Sequence, residues 1–178
     1  MRRSLVILFL LLLSLNSCKF SGSNSKGYKE LEEGIIKIFD NKDGITDFSA
    51  AARKGNLEVY GIVTYYYGYS ALDFLEKNFK KSDGKAEYYY ASILMSANTN
   101  EDNAKKLFEE AVKQGEYNAY YSLGTLYEND LDYSTAMNYY EKGREKGDMF
   151  SLYAYEYLKA NKNSINKIET LGKKYKNG

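Results

Sequence analysis

Cys18 is the only cysteine in this 178-residue chain, and the chain has no histidine. One thiol is therefore the only strong nucleophile, and the commonest general acid–base group and metal ligand is missing. The adjacent carboxylates Glu32-Glu33 and Glu109-Glu110 point in different directions around a helix, so neither makes a carboxylate dyad. No Gly-rich phosphate loop, nucleophile elbow or metal-ligand spacing occurs. The expectation is a protein that is not an enzyme, with no catalytic residue, no metal and no cofactor.

The chemistry left is recognition. The chain holds 20 Tyr and 8 Phe but no Trp and no Pro. Tyrosine offers apolar area and a hydroxyl at low entropy cost, which suits contact with another protein or a sugar ring. Charge is nearly balanced, at 25 basic and 24 acidic residues. Such a balance gives no electrostatic case for nucleic-acid binding, which needs a dense basic face.

The elements that would carry this chemistry begin with an address. Arg2 and Arg3 precede the unbroken apolar run Leu5 to Leu13, and then comes Leu15-Asn16-Ser17-Cys18. The run is shorter than the roughly 20 apolar residues of a membrane span. It has the length of a signal-peptide hydrophobic region. Its end resembles the bacterial lipobox. That resemblance implies cleavage after Ser17, residues 1–17 as a signal peptide, and lipidation of Cys18 as the first mature residue, with palmitate among the acyl chains. No disulfide is then available. Residues 18–27, rich in Ser, Gly and Lys, read as the anchored cysteine and a flexible tether. Lys19 in place of an aspartate favours the outer over the inner membrane of a bacterial envelope, by the same resemblance.

Residues 28–178 read as one helical domain. Tyr28, Leu31, Ile35, Ile38 and Phe39 make a helical stripe. A short helix from Phe48 to Arg53 stops at Gly55. Leu57 to Tyr67 has strong β propensity, yet stands where a repeat needs a helix. Ser70 to Asp73 and Thr99 to Asp102 read as capping boxes. Further helices are expected over Lys85–Ala97, Glu101–Gln114, Glu116–Glu128, Tyr133–Lys146, Met149–Ala160 and Ser164–Tyr175. Two phrases nearly repeat: Ala104, Phe108, Ala111, Gly115 and Ala136, Tyr140, Gly143, Gly147, each 32 residues later. The fold class is all-α, an α-solenoid of about five antiparallel hairpins.

Tyr120, Leu123, Gly124, Tyr127, Ala136, Tyr140 and Gly143 resemble the tetratricopeptide pattern, and Gln114-Gly115, Ala119, Leu123 and Gly124 resemble the Sel1-like variant. The resemblance implies that the first helix of each hairpin lines a concave face. Its residues here would be Ala86, Tyr89, Ile93 and Ser96, then Asn118, Tyr121, Thr125 and Glu128, then Phe150, Tyr153 and Tyr157. The expected function is a lipid-anchored envelope scaffold that binds a protein or peptide on this face. The alternative is binding of an envelope glycan such as peptidoglycan through the tyrosines.

Overall fold

The computed structural model describes residues 26–162 together with Ile165. The chain is all-helical, with no strand among the described residues. Its elements are α1 (Tyr28–Phe39), α2 (Ile45–Arg53), α3 (Val59–Tyr67), a 3-10 turn (Gly68–Ala71), α4 (Leu72–Glu76), α5 (Lys85–Ser96), α6 (Glu101–Lys113), α7 (Ala119–Asn129), α8 (Tyr133–Glu145) and α9 (Met149–Ala160). Cys18 and the expected helix Ser164–Tyr175 fall outside the described residues, Ile165 excepted. No described helix is long and apolar enough to cross a membrane. The chain divides into two compact units, Met1–Gly68 and Tyr69–Gly178.

In the first unit α1 packs on α2, and α2 on α3. Leu31, Ile35, Phe48, Ala51, Val59, Tyr60 and Val63 are buried. The Tyr67 hydroxyl donates to Asp43 Oδ1 at 2.7 Å and accepts from the Gly44 amide at 3.0 Å, pinning the α1–α2 turn to the end of α3. The β-rich run Val59 to Tyr67 is helical, because burying Val59, Tyr60 and Val63 on one face outweighs a propensity difference of tenths of a kcal/mol per residue.

In the second unit successive helices pack on one another from α4 to α9, and α9 also reaches α7. One buried cluster joins Ala91, Leu94, Ala104, Phe108, Ala111, Ala119, Leu123 and Leu126. A second joins Ala136, Tyr140, Leu158 and Ile165.

The near-repeat is more extensive than its two sequence copies. Gly44, Phe48, Ala51 and Gly55 carry the same spacing in the first unit. At all three places the aromatic is buried and the terminal glycine has positive φ: 84° at Gly55, 105° at Gly115 and 86° at Gly147. The next residue's amide then reaches back to the third position of the phrase. Asn56 donates to the Ala51 carbonyl at 3.1 Å, Glu116 to Ala111 at 3.0 Å and Asp148 to Gly143 at 3.0 Å. This closes the helix end in Schellman fashion. The same residue's side chain then caps the start of the next helix. Asn56 Oδ1 accepts from the Glu58 amide, Glu116 Oε1 from Asn118, and Asp148 from Phe150 and Ser151. One buried polar residue thus ends one helix and starts another. The α-helix itself starts at Ala119, after the turn residues Tyr117 and Asn118, rather than at Glu116.

Both expected capping boxes are replaced. Ser70 lies inside the 3-10 turn, α4 has no side-chain cap, and Asp73 pairs with Lys77 at 2.6 Å. At α6 the cap is Asn100, whose side chain accepts from the Asn103 amide, while Thr99 Oγ1 bonds back to the Leu94 carbonyl. The helix α4 is short because Asn78 donates its side-chain amide to the Phe74 carbonyl, offering the backbone a competing partner. Inward residues there are Phe74 and Leu75, with Leu72 and Phe79 only half-buried, since the 3-10 start rotates the stripe.

A candidate binding face on the second unit

The path from α7 to α9 is set by two small-residue crossings. Gly124 sits against the Tyr140 ring, which occupies the space a β-carbon would need. Gly143 sits in the same way against Ser151 and Tyr120. Pairing of Tyr120 with Gly143 and of Gly124 with Tyr140 makes α7 antiparallel to α8. Pairing of Gly143 with Ser151, and of Glu141 with Tyr155 (Oε1 to the hydroxyl, 3.5 Å), makes α8 antiparallel to α9. Accordingly α7 and α9 run parallel, side by side.

Their facing rows carry most of the residues expected for binding. Tyr121, Thr125 and Glu128 lie along α7; Phe150, Tyr153 and Tyr157 lie along α9. Phe150 is 69%, Tyr153 76% and Tyr157 56% exposed, whereas typical large aromatics are mostly covered. The rows touch where the Tyr121 and Phe150 rings meet, with centroids 5.6 Å apart. Tyr121 also leans on Tyr140 at 5.8 Å.

Beneath this face runs a chain of hydroxyls. Thr125 Oγ1 donates to the Tyr121 carbonyl at 3.0 Å, and the Tyr140 hydroxyl lies 3.3 Å from Thr125 and donates to Glu128 Oε2 at 2.8 Å. Burial, together with the nearby Glu128 carboxylate, holds the Tyr140 phenol well above its ordinary range. Tyr140 is thus a donor at neutral pH, and it fixes Glu128 at the edge of the face. In the sequence Tyr140 belongs to the repeat and Glu128 to the expected face; their bond depends on a contact between helices.

The other expected residues are placed differently. Asn118 is exposed, but its side chain donates to Glu116 Oε1 at 2.7 Å and braces the α6–α7 turn. Tyr89 is half-buried with its ring against Tyr88 at 5.2 Å. Ile93 is only 8% exposed and Ala86 is fully buried, so neither presents a side chain to a ligand. Ser96 is exposed on α5 and its hydroxyl bonds back to the Ser92 carbonyl, so the exposed aromatics of the expected set lie on α7 and α9. The sequence reading missed Met149, 70% exposed beside Phe150 in the first turn of α9. Its place next to the Asp148 cap was the signal available.

Tyr127 is half-buried against the Ala136–Tyr140 cluster and also stacks on Tyr139 (5.3 Å, 14° between planes), with the Lys105 ammonium 3.9 Å from its ring centroid. Among the described residues no three His, Cys, Asp or Glu side chains are grouped to hold a metal ion. Comparison of the chain with family models, curated proteins and solved structures finds no match.

Proposed function

We propose that this protein is a lipid-anchored scaffold of a bacterial envelope whose tetratricopeptide-like or Sel1-like hairpin stack, a short α-solenoid, binds a protein or peptide segment. The observation that carries the reading is the row of exposed aromatics Tyr121, Phe150, Tyr153 and Tyr157 on two parallel, well-packed helices. A contiguous exposed aromatic face on a rigid support marks an interaction surface rather than a core, and aromatics dominate interface energetics. Rigid presentation also lowers the entropy lost on binding. The anchor rests on the Leu15-Asn16-Ser17-Cys18 pattern. Several acyl chains at about 0.8 kcal/mol per buried CH₂ would hold the protein stably on a bilayer.

Three experiments test it. Radiolabelled palmitate should enter the wild-type chain and not Cys18→Ser; equal labelling of both would remove the anchor. A photocrosslinker at Tyr153 in intact cells should capture a protein, and a chain that crosslinks to none would remove the scaffold. Retention on purified cell wall with no protein captured would replace it by glycan binding.

A further inference from the structure

The aromatic face ends in a carboxylate that no described cation neutralises. Glu128 stands seven residues beyond Tyr121 on α7, and Tyr157 seven residues beyond Phe150 on α9. Because the two helices are parallel and Tyr121 meets Phe150, Glu128 and Tyr157 share a level two turns on, about 10 Å away. Tyr140 occupies one Glu128 oxygen, and Oε1 has no donor among the described residues. No described lysine or arginine pairs with Glu128 within 4.0 Å: Lys105 covers the Tyr127 ring and reaches Asp130, and Lys159 pairs with Glu156.

We infer that the face selects an extended peptide carrying a lysine or arginine, with a large apolar residue three positions away. This rests on the peptide-binding reading above and names the chemistry of the partner. A carboxylate beside an exposed tyrosine ring is a cation site twice over, through the ion pair and through the ring's negative face. Tyr140 holds the carboxylate in place before the ligand arrives, so little ordering is lost on binding. The apolar side chain of the peptide rests on the Tyr121–Phe150 pair. A polyproline-type extended chain advances about 3.1 Å per residue with three residues per turn, so residues three apart share a face and span about the 10 Å between the two subsites.

The test is an array of randomised octapeptides, acetylated and amidated at their ends, probed with the full-length chain. Bound peptides should be enriched in Lys or Arg at that distance from an aromatic or large aliphatic residue. In Glu128→Gln, which keeps the oxygen that Tyr140 needs, affinity for a selected basic peptide should fall about tenfold while apolar selection persists. In Glu128→Lys the enrichment should turn from basic to acidic. Peptides bound without basic enrichment, or an enrichment unchanged in both variants, would overturn the inference and leave peptide binding standing. No peptide bound above the level of Phe150→Ala/Tyr153→Ala would overturn the peptide-binding reading itself.

Discussion

Lys85 and Glu116 lie 31 positions apart and meet at 2.8 Å. Lys85 opens α5, and Glu116 is the buried capping residue that leads into α7, so this ion pair ties one helix pair to the next. Burial opposes the Lys85 charge, but Glu116 more than restores it, and the ammonium pKa is raised. Glu116 also accepts from the Asn118 amide and side chain. Removing it strands three donors, whereas Lys85→Met removes one charge and keeps the stem. Urea unfolding should show Glu116→Ala costing about 3 kcal/mol and Lys85→Met about 1 kcal/mol. Equal losses would mean the capping role is empty.

Gly124→Ala should destabilise by about 1–3 kcal/mol, because the added methyl meets the Tyr140 ring and that ring is buried with nowhere to move. Combining it with Tyr140→Leu should recover part of the loss, so the two changes are non-additive by about 0.5 kcal/mol or more. Strict additivity in a double-mutant cycle would contradict the crossing.

Two glycines with positive φ separate strain from crowding. At Gly115 a β-carbon would meet nothing within 4 Å, so Gly115→Ala carries only backbone strain, about 1 kcal/mol. At Gly84 (φ 82°) it would also run into the Ala111 carbonyl, and Gly84→Ala should cost about 2–3 kcal/mol. Thermal melts of the two variants rank them; the reverse order would contradict the packing of the α5 start on the end of α6.

Alkali should weaken the fold in a defined window. Burial, and then Tyr127 beside it, push the Tyr139 phenol up to about 12. The folded chain thus favours the neutral phenol. Its contribution is complete below the unfolded value of about 10 and is lost as pH rises through about 12. Denaturant midpoints should hold steady to pH about 10 and then fall, with a shallower fall in Tyr139→Phe. A midpoint that rose across this window would refute the assignment.

Tyr153→Ser and Tyr157→Ser should leave stability within about 0.5 kcal/mol of the parent, since both side chains are largely in solvent. Tyr140→Phe should cost about 1 kcal/mol through the lost bond to Glu128. If the two exposed changes proved the more damaging, these rings would be packing elements rather than a binding face.

Helix was legible in this chain from periodicity, from the absence of proline, and from glycines placed where a chain must turn. Gly55, Gly115 and Gly147 were readable because a left-handed residue has few chemical options. Gly124 was readable because it stands where the tetratricopeptide pattern places a small residue. These are local matters, decided by the backbone or by a repeat a few tens of residues long. The third copy of the phrase, at Gly44 to Gly55, was hidden in the sequence because a glycine replaces its first alanine.

What each aromatic does was decided only by the tertiary structure. Tyr121 and Tyr140 both stand at helical spacing in tyrosine-rich helices. Tyr140 is buried because Gly124 on another helix leaves room for its ring, and Tyr121 is left at the surface above it. Ile93 is covered although its register placed it on the open side. Glu128 becomes a fixed carboxylate only through the hydroxyl of a residue on the next helix. The cysteine and its flanking residues proposed an anchor from sequence alone, but the exposed aromatic face needed three helices set beside one another. Exposure and hydrogen-bond partnership are properties of neighbours distant in the chain, and a periodic pattern records only which side of its own helix a residue occupies.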